Sequence, residues 1–148
     1  VLCTICDLTI ASERAISGQV GPKMGSVDPG YGTALLARVV GEKKAREMWY
    51  LCRRYSAAEA LAMGLVNAVV PHERLDAEVQ QWCDEIGDKS PTAIAIAKRS
   101  FNMDTAHQSG IAGMGLYALK LYYETEESRE GVRAFQDKRK PDFRRYAK

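Results

Sequence analysis

Between Gly18 and Gly32 the chain reads GQVGPKMGSVDPGYG, with five glycines and two prolines in fifteen residues. Each glycine admits backbone angles closed to other residues, and each proline fixes φ and removes a donor. The run therefore reads as a shaped loop, bare enough to hold something close to its main chain. It also divides the chain: the short stretch before it reads as strands, and nearly everything after it reads as helix.

Before the loop, Val1–Cys6 has the apolar character of the end of a buried helix. Leu8–Ala11 and Ala15–Val20 read as short strands joined by a turn at Ser12-Glu13-Arg14. Past the loop, Asp28-Pro29 suits a helix start, and Leu35, Leu36, Val39 and Val40 give helical spacing up to Gly41. Glu42–Cys52 follows as a second helix with Ala45, Met48, Trp49 and Cys52 on one side. Ser56 and Glu59 form a capping box for a third, which Gly64 ends. Leu65–Val70 reads as a strand closed by Pro71. Leu75, Val79, Trp82 and Ile86 mark an amphipathic helix. Ser90-Pro91 caps another, running through Ile94 and Phe101. Ser109 opens a long helix to about Tyr123, and Thr125 caps a last one that Pro141 ends.

The 148 residues suffice for one domain with a real core. A hydrophobic share of 46% with 27% charged residues is a soluble globular profile. A net charge of +2 gives no reason to expect nucleic acid or an anionic membrane as partner. No apolar run approaches a membrane span. The chain opens in mid-core without an initiator methionine, so it is expected to be the C-terminal part of something longer. Cys3 and Cys6 form a C-x-x-C, but no second pair and no paired histidines follow to complete a metal site. They read as two buried cysteines of a reduced, cytoplasmic protein.

The loop matches no Walker pattern, no dinucleotide fingerprint and no nucleophile elbow. His72 and His107 have no partner at a telling spacing and read as surface residues. Ser26 and Asp28 remain. A hydroxyl and a carboxylate two residues apart on a rigid turn can hydrogen-bond and orient each other, and a desolvated Asp28 can accept a proton. Equally, Asp28 can simply cap the helix that follows. The basic tail DKRKPDFRRYAK is either a solvated end or an anion site.

The string CDLTIA…GQVGPKMGSVDPGYGTALLARVVGEKKAREMWYLCRRYSAAEALAMGLVNAVVP closely resembles the crotonase (enoyl-CoA hydratase/isomerase) superfamily, and YYETEESREGVRAFQDKRKPDF resembles its C-terminal end. Within it the chain resembles the branch of 2-ketocyclohexanecarboxyl-CoA hydrolase, and next that of naphthoate synthase (1,4-dihydroxy-2-naphthoyl-CoA synthase). Naphthoate synthases usually read G-S-F-D-G-G where this chain has Gly25-Ser26-Val27-Asp28-Pro29-Gly30.

The resemblance implies an α/β fold: residues 1–70 as the C-terminal part of a crotonase-like ββα spiral, residues 71–148 as a helical trimerisation region with a CoA-contacting tail. It implies a homo-oligomer, trimer or hexamer, and an acyl-CoA thioester as substrate with no tightly bound cofactor and no metal. Ser26 and Asp28 match a hydrogen-bonded pair facing the reacting ring. Tyr123 matches a proton-transferring tyrosine that reaches a neighbouring subunit's site. Gln19, Gly21 and Val27 fall on the substrate side, and Phe135 and Lys138 match tail residues that touch CoA of an adjacent subunit. Gly21 stands where hydratases place a catalytic glutamate, and bicarbonate stands in for the base in some relatives with glycine there. Ser17 stands where the branch usually has an aromatic residue. The backbone N–H groups of the oxyanion hole would lie upstream of Val1.

The implied reaction is hydrolytic ring opening of a cyclic 2-ketoacyl-CoA, such as 2-ketocyclohexanecarboxyl-CoA to pimeloyl-CoA. The alternatives are ring closure of o-succinylbenzoyl-CoA by a naphthoate synthase, and an inactive fragment or oligomerisation module.

Overall fold

The computed structural model describes residues 1–147. Its first part interleaves short strands with helices. One turn of helix, α1 (Leu2–Ile5), leads to β1 (Ile10–Ser12) and β2 (Ile16–Gly18). The glycine-rich run contains one turn of helix, α2 (Gly21–Met24), before α3 (Tyr31–Val40) and α4 (Glu42–Leu51). Then come β3 (Arg54–Ser56), α5 (Ala57–Ala62) and β4 (Ala68–Val70).

The two strands before the loop do not pair with each other. β1 runs parallel to β4 with Ile10 opposite Ala68, and β2 runs antiparallel to β3 with Ile16 opposite Ser56. Sequence periodicity missed β3, because only Tyr55 of its three residues is apolar and buried. The expected strand at Leu65–Val70 is shorter. Leu65 and Val66 enter the core, and only the last three residues pair.

The core is built on α3 and α4, which pack together, with residues of β3, α5 and the segment before β4: Leu36, Ala45, Met48, Trp49, Tyr55, Ala60, Leu65 and Val66. Leu36 and Met48 are each 1% exposed. Burying a side chain of this size stabilises the fold by about 1.5–3 kcal/mol. The side of α4 expected from its spacing is the buried one, with Cys52 left half-buried as the C-cap in a left-handed conformation. The Ser56 capping box is complete: Ser56 Oγ accepts from Glu59 N–H, and the Glu59 carboxylate accepts from Ser56 N–H at 2.7 Å. Cys3 packs half-buried beside this core, but Cys6 is exposed. As the C-cap of a single turn, Cys6 turns to an extended ψ of 147° and leaves the helix before it can face inward.

The second part is helical: α6 (Leu75–Gly87), α7 (Pro91–Met103), α8 (Ile111–Tyr123) and α9 (Glu126–Gln136). Ser90 caps α7 by accepting from Ala93 N–H, and Thr125 caps α9 by accepting from Ser128 N–H. α8 starts two residues later than expected, because a 3-10 turn at Ala106–Gln108 precedes it. α9 ends at Gln136, before Pro141, where Lys138 takes a positive φ of 53° and the tail doubles back. The described residues leave the apolar side of α7 open and cover that of α6 only in part, with Leu75 and Trp82 half-buried. Phe101 is 78% exposed, and Val79, Ile86 and Ile96 are also open. No described helix is long and apolar enough to cross a membrane.

Candidate functional site

The loop between α2 and α3 is pinned by one carboxylate. Asp28 Oδ1 accepts from the N–H of Gly30 at 3.1 Å and of Gly32 at 3.0 Å. Its Oδ2 accepts from Thr33 N–H at 2.6 Å and from the Thr33 hydroxyl at 2.7 Å. A carboxylate offers about four lone-pair sites, and these four donors occupy them all. Of the two readings of Asp28, the geometry therefore displays the cap: it satisfies the orphan donors at the start of α3. From the other side, Trp49 Nε1–H donates to the Gly32 carbonyl at 3.0 Å in the buried core.

Two helices of the second part close on this loop, backbone against backbone. A Cβ on Gly115 of α8 would lie 2.5 Å from the Pro29 carbonyl carbon, and one on Gly30 would lie 2.5 Å from Ala112 Cα. A Cβ on Gly131 of α9 would overlap the Met24 carbonyl oxygen and lie 2.8 Å from Gly25 N. Gly25 itself has a positive φ of 69° and faces the Ser128 carbonyl. Small residues on both surfaces are what allow so close an approach.

The approach brings Tyr123, the last residue of α8, to the loop. Its hydroxyl lies 2.8 Å from Ser26 Oγ, across 97 residues of sequence. Ser26 thus bonds Tyr123 instead of the expected Asp28, and within this chain Tyr123 meets its own loop. Either hydroxyl can donate, so the pair can pass a proton in either direction. The pair borders an open cavity of about 570 Å³, lined also by Met24, Ser128, Arg129, Val132 and Arg133. Tyr122, next along α8, differs: burial first and Glu127 second push its phenol up to about 12, which keeps it neutral.

The other sequence-derived positions are dispersed. Val27 is half-buried between Ser26 and Asp28. Gly21 is the first residue of α2; a Cβ there would sit 3.1 Å from Trp49 Cζ3 and 3.2 Å from Ser26 O, so a larger side chain meets the indole. Gln19 is buried and lines a separate cavity of about 360 Å³ with residues of α1 and β2. Phe135 and Lys138 stand exposed at the far end of α9 and do not line the Ser26–Tyr123 cavity. His72 is exposed, with Nδ1 3.2 Å from the buried Ser12 Oγ. Among the described residues no group of three or more histidine, cysteine or acidic side chains is placed to hold a metal.

Sequence reasoning missed Trp49, Thr33, and Arg129 with Arg133, as parts of the site. A hydroxyl residue five positions after Asp28 at a helix start was the available signal for Thr33. The other two depend on contacts between distant segments.

The tail is tied back over α9 by one buried carboxylate. Glu130 accepts from Arg139 Nη1 at 2.6 Å, from Asp142 N–H at 2.9 Å and from Arg145 Nη2 at 3.2 Å. The Arg139 hydrogen bond, then the Asp142 N–H, lower its pKa from the ordinary 4.5 to about 2. A carboxyl depressed in the folded state stabilises it above the unfolded value and loses that contribution as pH falls through the folded one. Glu130 therefore adds stability above pH 4.5 that disappears between pH 4.5 and about 2. Thermal midpoints followed across that range should fall for the native protein and fall less for Glu130→Gln. Parallel acid curves would remove Glu130 from this role.

The enoyl-CoA hydratase/isomerase family model matches residues 1–146, and the chain belongs to that family. An enoyl-CoA hydratase from Mycobacterium avium subsp. paratuberculosis K-10 superposes with a TM-score of 0.87 at 32% identity, over 95% of this chain and 59% of that one. An enoyl-CoA hydratase/isomerase from Pseudoalteromonas atlantica T6c gives 0.89 at 25% identity, over 96% and 58%. A methylmalonyl-CoA decarboxylase in complex with 2-nitronate-propionyl-CoA gives 0.77 at 30% identity, over 95% and 55%. The α/β crotonase-like fold expected from the sequence is thus the fold of this chain, which spans 55% to 59% of the length of these three proteins.

Proposed function

We propose that the protein carrying this chain is an acyl-CoA-processing enzyme that opens the ring of a cyclic 2-ketoacyl-CoA by hydrolysis. The observation that carries this reading is a pair of hydroxyls, Ser26 and Tyr123, on one cavity whose lining holds no carboxylate, together with a glycine at position 21, where the resemblance puts a glutamate in hydratases. Simple hydration of an enoyl thioester calls for a carboxylate to place and deprotonate water. A ring opening can take its water from a bound anion, and it needs a donor that delivers a proton to the enolate carbon once the carbon–carbon bond has broken.

Water adds to the ring ketone, and the bond between that carbon and the carbon next to the thioester breaks. Its electron pair passes into a thioester enolate. The former ketone carbon stays on the opened chain as a carboxylic acid, and the diol gives up one hydroxyl proton to the group that activates the water. Tyr123 protonates the enolate carbon, with Ser26 as its hydrogen-bond partner, and regains its proton from solvent through the open cavity. Asp28 contributes by fixing the loop that presents Ser26. Preorganised backbone N–H donors for the enolate, each worth several kcal/mol in such sites, belong in this proposal to the protein N-terminal to Val1. Bicarbonate beside Gly21 is one way to activate the water. Phe135 and Lys138 are offered as CoA contacts between subunits of a trimer or hexamer built on the uncovered faces of α6 and α7. The division at residue 70 separates the spiral from that helical region.

The test is a mass measurement on products of the full-length protein. With 2-ketocyclohexanecarboxyl-CoA, gain of one water is expected. Loss of one water from o-succinylbenzoyl-CoA, with no action on the first substrate, would establish ring closure and overturn the proposal.

A further inference from the structure

Two arginines that neither the fold nor the proton-transfer pair explains share the cavity with Ser26 and Tyr123. Arg129 and Arg133 lie one turn apart on α9 and both line it. Glu126, one turn earlier, engages both: Arg129 Nη1 donates to Oε1, and Arg133 Nη2 donates to Oε2 at 3.0 Å. A guanidinium carries five donors, so each arginine keeps most of its own free. The two side chains are each 52% exposed, which leaves those donors accessible from the cavity. Two cations against one anion leave a net positive charge on a wall otherwise formed by Met24, Val132 and small polar groups.

We propose that Arg129 and Arg133 are specificity-determining residues that hold a free carboxylate on the acyl group of the thioester. The inference rests on the acyl-CoA reading above and narrows its substrate class to acyl groups that carry or acquire a carboxylate. The planar fork of a guanidinium matches a carboxylate with two parallel donors, and such charge-assisted bonds are the strong ones. In a hydrolytic ring opening the ketone carbon becomes the carboxylate, so the cation pair meets the charge that the reaction creates. Glu126 occupies part of each guanidinium in the meantime and holds both side chains in place. A neutral acyl chain would leave the net charge of the wall unmatched.

The experiment compares binding of pimeloyl-CoA and heptanoyl-CoA to the full-length protein by titration calorimetry. The two ligands differ only in the terminal carboxylate. The native protein should prefer pimeloyl-CoA by about tenfold or more, in keeping with charge-assisted hydrogen bonds. In R129Q/R133Q the ratio should collapse toward one, and in R129K/R133K part of it should return. Glu126→Gln frees both guanidiniums, so the ratio should rise, an effect opposite in sign that no loss of folding could mimic. A native ratio near one, or a ratio unchanged in R129Q/R133Q because both ligands weaken together, would overturn the inference; the second result would place the arginines on the CoA phosphates. If the ratio behaves as expected but no ring is opened, the proposed reaction fails and the carboxylate site stands. If rings are opened without the preference, the reverse holds.

Discussion

Replacing Tyr123 with phenylalanine should lower kcat on the ring substrate by about a hundredfold to ten-thousandfold, the usual contribution of a positioned proton donor. KM should change little. The substitution removes one oxygen and keeps the ring, so α8 can still pack on the loop at Gly30 and Gly115. What disappears is the 2.8 Å contact with Ser26 and the proton it can relay. A purely structural tyrosine would show a different pattern: a lower thermal midpoint with kcat nearly intact. Steady-state kinetics and a melting curve on the same preparation separate the two. Equal kcat in native and variant protein would remove Tyr123 from the chemistry.

The second large effect is expected at Gly131. Its added Cβ would overlap the Met24 carbonyl oxygen and crowd Gly25 N, which are main-chain atoms with no rotamer to change. Gly131→Val must therefore push α9 away from α2. Overpacking of this kind costs about 1–3 kcal/mol, sometimes more. Activity should fall with stability, because the same contact holds Tyr123, Arg129 and Arg133 against the loop. Gly113, on the open side of α8, is the control: a Cβ there meets nothing within 4 Å. Gly113→Ala should stabilise by about 0.5–1 kcal/mol through helix propensity. Chemical denaturation of both variants checks the pair, and equal losses would mean that the backbone contact at Gly131 is not what holds α9.

These two residues also mark what the sequence discloses and what it withholds. Local chemistry was legible. Ser56 with Glu59, Ser90 with Pro91, and Thr125 announce helix starts through groups only three residues apart, and all three caps form. The buried side of α4 follows from its periodicity. The fold class followed from the resemblance of the long glycine-rich segment. Pairing was not legible. β1 and β2 are neighbours in sequence, yet each pairs with a strand beyond α4, because register is decided by long-range burial and not by the turn between them. The site shows the same limit. Ser26 and Asp28 invite a bond over two residues, but the start of α3 offers Asp28 four donors, and Ser26 is left to a tyrosine 97 residues away. The amphipathic helix expected from Leu75, Val79, Trp82 and Ile86 forms as α6, but periodicity alone could not say that Val79 and Ile86 would stay open.

If one chain supplies both hydroxyls of the site, no exchange of subunits can repair a defect in either. Subunit complementation reads this out. Full-length Ser26→Ala and Tyr123→Phe proteins, both expected to turn over slowly, are mixed, dissociated and reassembled. Sites completed within each chain carry one defect or the other in every subunit, so no recovery of turnover is expected. Sites completed by a neighbour would pair an intact Ser26 with an intact Tyr123 in about a quarter of positions of a symmetric oligomer. Recovery to about that level would put Tyr123 in a neighbour's site and overturn the single-chain pair.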